Sequence, residues 1–290
     1  ASEFRTRMLG GVAILIGLVP VVWFLLHRSE TELLVKVICG IVALALMVLT
    51  ARHPDRRERR NMTAYLVLTL GSLTFWSLYQ MAPSGLQLFA DNNVDLMIGS
   101  TKVQPQWIQN INTVVIVVGG PLFSALFTRL RARGWAIDVP QQFAASLLVM
   151  GAGFLVLPIG ISMAGADGKS AFVWLFISYV FQSIGELLIS PVGYAMIGKL
   201  APQKYQGIMM GSWMLVTGLA SLFAGDFSGM IPEPQGSTAA QTNAAYSQLF
   251  NGLGWGSVVV GVVLVVLVPT LRKLITDGPQ TAATETPAST

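Results

Sequence analysis

Eight stretches of the sequence, each long enough to cross a bilayer as a helix, carry at most one charged side chain apiece. They cover residues 8–26, 33–50, 62–79, 107–127, 141–162, 171–196, 207–230 and 249–271. A transmembrane helix needs roughly 20 predominantly apolar residues. Charged residues make up only 11% of the chain, whereas a soluble protein carries about 25%. The alternating pattern of a membrane barrel is absent, so the sequence predicts an all-α membrane protein with eight transmembrane helices.

The basic residues divide between the two sides that eight crossings would create. One side holds Arg5, Arg7, Arg52, Arg56, Arg57, Arg59, Arg60, Arg129, Arg131, Arg133, Lys199, Lys204, Arg272 and Lys273. The other side holds Arg28, Lys102 and Lys169, while Lys36 lies within a helix. Because Lys and Arg concentrate on the cytoplasmic side of membrane proteins, we expect both ends of the chain to be cytoplasmic. The arginines lie in short loops between spans, so we expect membrane lipids as partners and no nucleic acid.

Glu186 is a lone carboxylate within the apolar run 171–196. A charged side chain at the centre of a bilayer costs about 3 kcal/mol, so it normally faces a cavity or a partner. We therefore expect Glu186 to be functional. The alternative is an acid that pairs with a neighbouring helix purely for packing.

Ser183 lies one helical turn before Glu186, so both side chains share one face of the helix and could line one cavity. Serine is also common where membrane helices touch, because it is small. A functional role and a packing role are both open for Ser183. Gly185 and Gly193 with Pro191 are expected to let this helix bend or pack closely.

Three of the segments outside the predicted spans have a distinctive composition. Residues 81–106 contain turn signals and are expected to form the end of a helix followed by an ordered outer loop. Residues 231–248 are rich in Pro, Gly, Ser, Thr, Gln and Asn, which predicts a flexible outer loop. The tail 276–290 has the composition of a disordered segment.

The chain begins with Ala-Ser-Glu-Phe-Arg, which has neither an initiator Met nor the features of a signal peptide. It enters the first predicted span within a few residues. We expect the chain to be the end of a longer polypeptide.

Several motifs together resemble one transporter family. The segment GELLISPVG at 185–193, followed by KLAP at 199–202, resembles the second-half signature of the proton-dependent oligopeptide transporters, a branch of the major facilitator superfamily. The segments FWSLYQ at 75–80 and SGLQLFA at 84–90 are similar to the family's seventh helix, and GIMMGSWM at 207–214 is similar to the helix after the signature. The motifs occur in family order, and the chain looks nearest to the bacterial dipeptide and tripeptide permeases.

The resemblance implies a domain organisation. Residues 1–60 would be an inserted transmembrane hairpin with a basic cytoplasmic linker, 61–275 the carboxy-terminal six-helix half of a major facilitator fold, and 276–290 a disordered tail. The amino-terminal half would be missing from this chain, together with the family's Glu-x-x-Glu-Arg proton-coupling motif, which the sequence lacks.

The resemblance also implies roles for individual residues. Glu186 matches the family acid that receives the peptide amino terminus, and its carboxylate suits an ammonium group or a proton. Asn112 matches an asparagine that holds peptide backbone, and its amide offers donors and acceptors. Thr113 departs from the proline that usually follows. Without the resemblance, Asn112 could equally be a polar contact between helices.

The other site residues that the resemblance implies are aromatic or carry neutral polar groups. Trp213 and Thr217 match a Trp and a small hydroxyl placed against the peptide, and aromatic walls accept varied side chains. Trp76 and Tyr79 complete the expected substrate-binding set. Gln80 occupies a position where many members have a gating glutamate, so the gate or the proton coupling is expected to differ here.

We therefore predict proton-coupled symport of di- and tripeptides across the bacterial inner membrane by alternating access. Protons and peptides would be the transported partners, and no cofactor or metal is expected, since His27 and His53 lie beside arginines in loops. Transport of another small solute is the first alternative. A membrane enzyme is less favoured because the chain has no GxSxG motif, HExxH motif or second central acid, and a non-transporting scaffold would leave Glu186 without a role.

Overall fold

The computed structural model describes residues 16–20, 23, 30–98, 100–135, 137–231 and 237–275. Its helices are α1 Glu30–Ala51, α2 Arg56–Tyr79, α3 Gly85–Asn93, α4 Pro105–Ile108, α5 Asn110–Ala132, α6 Val139–Ser162, α7 Phe172–Leu200, α8 Gln206–Gly229 and α9 Ala239–Leu274. Within these residues, 7 helices are long and apolar enough to cross a membrane, counting α4 with α5 as one. They confirm an all-helical membrane architecture. Most of the first predicted span, 8–26, lies outside the described residues, so the count of eight and the inserted hairpin stay predictions.

The chain forms two compact units, which fall within Ala1–Ala45 and Leu46–Thr290. In the first unit, Lys36 pairs with Glu32 one turn earlier in α1, so the one basic residue inside a predicted span has an acidic partner. The second unit holds α2 to α9 and every residue of the predicted site. The predicted domain boundary at residue 60 and the tail 276–290 stay predictions, and the tail lies outside the described residues.

The second unit begins with a capped helix. The Asp55 carboxylate accepts hydrogen bonds from the backbone N–H groups of Arg57 and Glu58, at 2.7 and 3.2 Å. These donors have no partner within a helix's first turn, so an N-terminal carboxylate satisfies them and complements the helix dipole. The backbone hydrogen bonds, with that from Glu58 the stronger cause, lower the pKa of Asp55 below its usual value.

The prediction of a flexible loop over 231–248 is wrong from residue 239 onward, because α9 begins at Ala239 and continues for 36 residues. The Gln241 side chain accepts a hydrogen bond from the Thr238 backbone N–H at 2.9 Å, as in a capping box. Thr242 and Tyr246 are buried, so the first turns of α9 also pack against the protein. The composition of residues 231–248 is typical of loops and therefore did not indicate that a helix begins at Ala239.

The segment 81–106 is also more regular than a loop. After a turn at Gln80–Ser84, the nine-residue helix α3 forms, and two short strand pairs follow. Strand β1 (Val94–Asp95) pairs in parallel with β4 (Ser170–Ala171), and β2 (Met97–Ile98) pairs antiparallel with β3 (Thr101–Lys102). The buried Asn93 amide donates to Thr242 Oγ1 and Asn243 Oδ1 at 2.8 and 2.9 Å, which ties the end of α3 to α9.

Helices α6 and α9 form the closest helix pair of the second unit. A Cβ added at Gly151 would lie 2.8 Å from the Gly254 carbonyl oxygen, so a larger residue could not fit there. Small residues allow membrane helices to approach in this way. Beside this contact the rings of Phe89, Tyr246, Phe250 and Phe154 pack on one another. This core holds α3, α6 and α9 together.

Contacts bring the basic segments to one end of the second unit. The Arg60 guanidinium donates to the Lys273 carbonyl oxygen, and Arg272 pairs with Asp138. The His53 ring meets the Tyr205 ring edge-on at 5.9 Å. The starts of α2 and α6, the turn between α7 and α8 and the end of α9 therefore share one end, as the charge pattern predicts.

Candidate functional site

A cavity of about 180 Å³ lies where α2, α5 and α7 converge. Its lining residues are Tyr79, Gln80, Ala82, Pro83, Gln109, Asn112, Tyr179 and Gln182. Most of these side chains are polar or aromatic, although the helices that carry them are otherwise apolar. Such a combination is typical of small-molecule sites, where a few polar groups converge on a concave surface.

Asn112 connects α5 to the central acid of α7. Its side-chain amide donates to Glu186 Oε2 at 2.9 Å and to Ser183 Oγ at 3.1 Å. A hydrogen bond to a carboxylate is stronger than one between neutral groups, and more so where water is scarce. Glu186 is half-buried, so its carboxylate accepts this hydrogen bond and is still partly accessible from outside the bundle. The structure thus brings together three residues that the sequence predicts for the site.

Ser183 is fully buried and occupies the inner part of this cluster. Its hydroxyl donates to the Tyr179 carbonyl oxygen one turn earlier, at 2.7 Å, and so accepts from Asn112. The spacing of three residues between Ser183 and Glu186 does place both side chains on one face of α7. Both the hydroxyl and the carboxylate therefore orient the amide of Asn112.

Tyr79 approaches the same cluster from the end of α2. Its hydroxyl interacts with the Glu186 carboxylate and with the Asn112 amide. The Tyr79 ring stacks on Phe75 at 6.0 Å and meets the Trp76 ring edge-on at 5.5 Å. The buried Trp76 Nε1 atom has no hydrogen-bond partner among the described residues. Of the two predicted aromatic residues, Tyr79 therefore lies beside the acid, and Trp76 packs on Tyr79.

Gln80 lies at the cavity edge and bonds to α8. Its amide donates to Ser221 Oγ at 2.6 Å. Thr217, one turn before Ser221, donates its hydroxyl to the Trp213 carbonyl oxygen of its own helix at 3.4 Å. Gln80 therefore connects the end of α2 to α8 through its hydrogen bond to Ser221. Thr217 lies on α8, one turn before Ser221.

Trp213 lies apart from the cavity. It is 2% exposed, and its ring packs edge-on against Phe143 at 6.2 Å. A Cβ added at Gly193 would lie 2.5 Å from Trp213 Cζ2, so the glycine makes room for the indole. The close packing predicted for Gly193 is confirmed. Contact between Trp213 and a peptide stays a prediction.

Sequence reasoning missed two cavity residues of α7, Tyr179 and Gln182. They lie seven and four residues before Glu186, so helical periodicity places them on its face. Gln182 is buried and donates to Ser178 Oγ at 3.1 Å, and the Tyr179 hydroxyl donates to the Ala82 carbonyl oxygen at 3.3 Å. The i−4 and i−7 spacing from Glu186 was the signal that could have found both.

The described residues contain no group of three or more His, Cys, Asp or Glu side chains that could hold a metal ion. The cluster around Glu186 offers one carboxylate, one amide and several hydroxyl groups. A carboxylate among neutral polar groups can receive an ammonium group or a proton. The chemistry that this arrangement supports is therefore binding of a cationic or protonated group.

Comparison with known proteins gives a consistent result. A family model described as the POT family matches residues 17–247. The chain is 31% identical over 272 residues to the dipeptide and tripeptide permease A of Cronobacter turicensis, a match that covers 92% of this chain and 53% of the permease. It is 31% identical over 279 residues to the protein of that name from Escherichia coli, with 95% and 54% covered.

Solved structures show the same likeness. A structure of the peptide transporter POT, as a glutamine-for-glutamate variant in complex with alafosfalin, superposes with a TM-score of 0.76 at 26% identity. That superposition covers 93% of this chain and 54% of the transporter. The chain therefore spans about half the length of the relatives that it matches.

Proposed function

The chain belongs to the POT family, and from this membership and the cluster around Glu186 we propose that it serves proton-coupled symport of di- and tripeptides. Its relatives carry the name of dipeptide and tripeptide permeases and its structural neighbours that of peptide transporters, which places it with transporters rather than enzymes. Bacterial permease relatives and 7 apolar helices make it a multi-pass protein of the bacterial inner membrane.

The observation that carries the proposal is the pair of hydrogen bonds from Asn112 to Glu186 and Ser183 at the border of a cavity. An acid within an apolar helix is costly, and here it is held by a neutral amide rather than by a basic side chain. The charge of Glu186 is therefore not cancelled by an ion pair within the cluster. It is suited to receive the ammonium group of a peptide or a proton.

In the proposed cycle, Glu186 alternates between these two occupants. A peptide amino terminus binds the carboxylate by a charge-assisted hydrogen bond, and Asn112 holds the peptide backbone. On the outer side, Glu186 holds a proton until the peptide ammonium group displaces it into the cavity shared with the amino-terminal half. The proton and the peptide are then both released to the cytoplasm, so that inward proton flow is coupled to uptake. Tyr79 and Trp76 form the aromatic wall, while Trp213 and Thr217 act from α8.

The proposal includes a division of labour between two halves. We propose that residues 61–275 are the carboxy-terminal six-helix half and that an amino-terminal half completes the cavity. Residues 1–60 would be an inserted hairpin, and both ends of this chain would be cytoplasmic. Alternating access then requires the two halves to rock around the site near the membrane midplane.

Uptake of a labelled dipeptide into proteoliposomes tests the proposal. Under an inward proton gradient, the wild-type full-length protein should accumulate the dipeptide, and Glu186→Gln should not. Asp226→Asn is the matched control, because Asp226 is the other acid in a predicted span and lies exposed near the end of α8. Accumulation by Glu186→Gln at the wild-type level would contradict the assigned role, and failure of the wild type to accumulate dipeptides would contradict the substrate class.

A further inference from the structure

A second cavity is lined by none of the residues that line the first. It has a volume of about 330 Å³ and lies between α6 and α9, which contribute no residue to the first cavity. Ala145 and Leu148 form its α6 wall, and Val265 and Pro269 form its α9 wall. The two helices touch closely at Gly151 and Gly254, and the cavity lies beyond this contact, nearer the start of α6 and the end of α9. The cavity is therefore a groove between the two helices.

The groove opens on an apolar surface. On α9, Val262, Val265 and Val266 are 49%, 48% and 71% exposed. Side chains of this kind on a membrane-spanning helix face lipid acyl chains rather than water. An apolar groove of this volume at such a surface is suited to one section of an acyl chain.

The mouth of the groove is strongly basic. Arg272 and Lys273 occupy the last turn of α9, and the Arg60 side chain reaches the Lys273 carbonyl oxygen from α2. Asp138 pairs with Arg272 across the start of α6. Arg60 and Lys273 have no acidic partner among the described residues, so the mouth carries an excess of positive charge. Basic residues are common at this end of the bundle, but here they lie within one helical turn of an apolar groove.

One polar side chain lines the groove itself. Gln141 uses its Oε1 atom to accept a hydrogen bond from the Asp138 backbone N–H at 3.0 Å. Its Nε2 group is a further donor, three residues from Asp138, which pairs with Arg272. Amide and ammonium donors both suit the oxygen atoms of a phosphodiester.

We propose that this groove binds one anionic phospholipid, with an acyl chain between α6 and α9 and the phosphate at Lys273, Arg60 and Gln141. The apolar walls select an acyl chain, and the uncompensated positive charge selects an anionic headgroup over a zwitterionic one. Such a lipid bridges the ends of α2, α6 and α9, three helices whose contacts define this end of the bundle. The site is independent of the transported substrate.

Native mass spectrometry of the purified protein with added phosphatidylglycerol or phosphatidylcholine tests the proposal. The wild type should retain phosphatidylglycerol in preference to phosphatidylcholine. Val265→Phe fills the groove and should abolish this preference. Val266→Phe makes the same change at the neighbouring residue outside the groove and should leave it intact.

A second pair of variants tests the headgroup. Lys273→Gln should weaken phosphatidylglycerol binding by roughly fivefold, as expected for one basic contact with an anionic lipid. Lys199 is also exposed, at the end of α7, and Lys199→Gln should bind as the wild type does. Equal binding of the two lipids by the wild type, or unchanged binding by both Val265→Phe and Lys273→Gln, would overturn the proposal.

Discussion

The side-chain amide of Asn112 donates a hydrogen bond of 2.9 Å to the carboxylate of Glu186, across the contact between α5 and α7. The two residues are separated by 74 positions in the chain, and each lies within an apolar span. The bond gives the central acid a neutral partner, and it makes Asn112 the residue that sets the direction of the carboxylate.

Removal of that amide should impair transport. In Asn112→Ala, Glu186 loses a charge-assisted hydrogen bond, which typically contributes about 1.5–3 kcal/mol. We expect the ratio kcat/KM for dipeptide uptake to fall by about tenfold or more. Asn110→Ala is the control, because Asn110 is exposed on the same helix and should show wild-type uptake. Equal uptake by the two variants would contradict the role of Asn112.

Substitution Gln80→Glu should change the pH dependence of uptake. Gln80 lines the cavity and donates to Ser221, so a carboxyl group at this position would add a titratable group to the cavity that Asn112 also lines. We expect the uptake of the variant to depend more steeply on pH than that of the wild type. Uptake measured between pH 4 and pH 8 gives the comparison, because this range includes the ordinary glutamate pKa of about 4.3 and the raised pKa values of buried carboxyl groups. Superimposable pH profiles would show that position 80 has no part in coupling.

Gly193→Ala should destabilise the protein. The added Cβ would lie 2.5 Å from Trp213 Cζ2, too close for either residue to keep its place. Overpacking of this kind costs about 1–3 kcal/mol, so the melting temperature in detergent should fall. Gly198→Ala, in the same helix with no atom within 4 Å of the added Cβ, should not lower it. Trp213→Phe combined with Gly193→Ala should recover part of the loss if the clash is its cause.

Asp55 should stabilise the start of α2 in a pH-dependent manner. Its pKa is lowered in the folded protein by hydrogen bonds from the Glu58 and Arg57 backbone N–H groups. The stabilisation is therefore complete above the unfolded pKa of about 3.9, and it is lost as the pH falls through the lower folded pKa. Hydrogen exchange of these two amides should accelerate in Asp55→Ala at neutral pH. Asp55→Asn keeps a hydrogen-bond acceptor but has no titratable group. The difference in amide exchange rate between this variant and the wild type therefore measures the contribution of the carboxylate charge.

The site residues that the sequence analysis did not identify fall into two groups, one set by local helical spacing and one by long-range contacts. Tyr179 and Gln182 could have been found from Glu186 by helical spacing, because they lie on its face of α7. Ser221 could not, since its bond to Gln80 joins residues 141 positions apart. The burial of Trp213 against Gly193 depends on how closely α7 and α8 pack. The local sequence of either helix does not determine the distance between them.

The sequence by itself determined the lipid environment, the seven described spans, the end of the bundle at which the basic residues meet, and the presence of one acid in the apolar run 171–196. These properties follow from composition and local periodicity, because each span must satisfy its own backbone hydrogen bonds and bury or expose its own side chains. The tertiary structure decided that Asn112, Ser183 and Tyr79 surround Glu186, that Trp213 packs within the core, and that residues 239–248 extend α9. Those outcomes depend on which helix faces meet and at what distance, and packing between segments distant in sequence decides both.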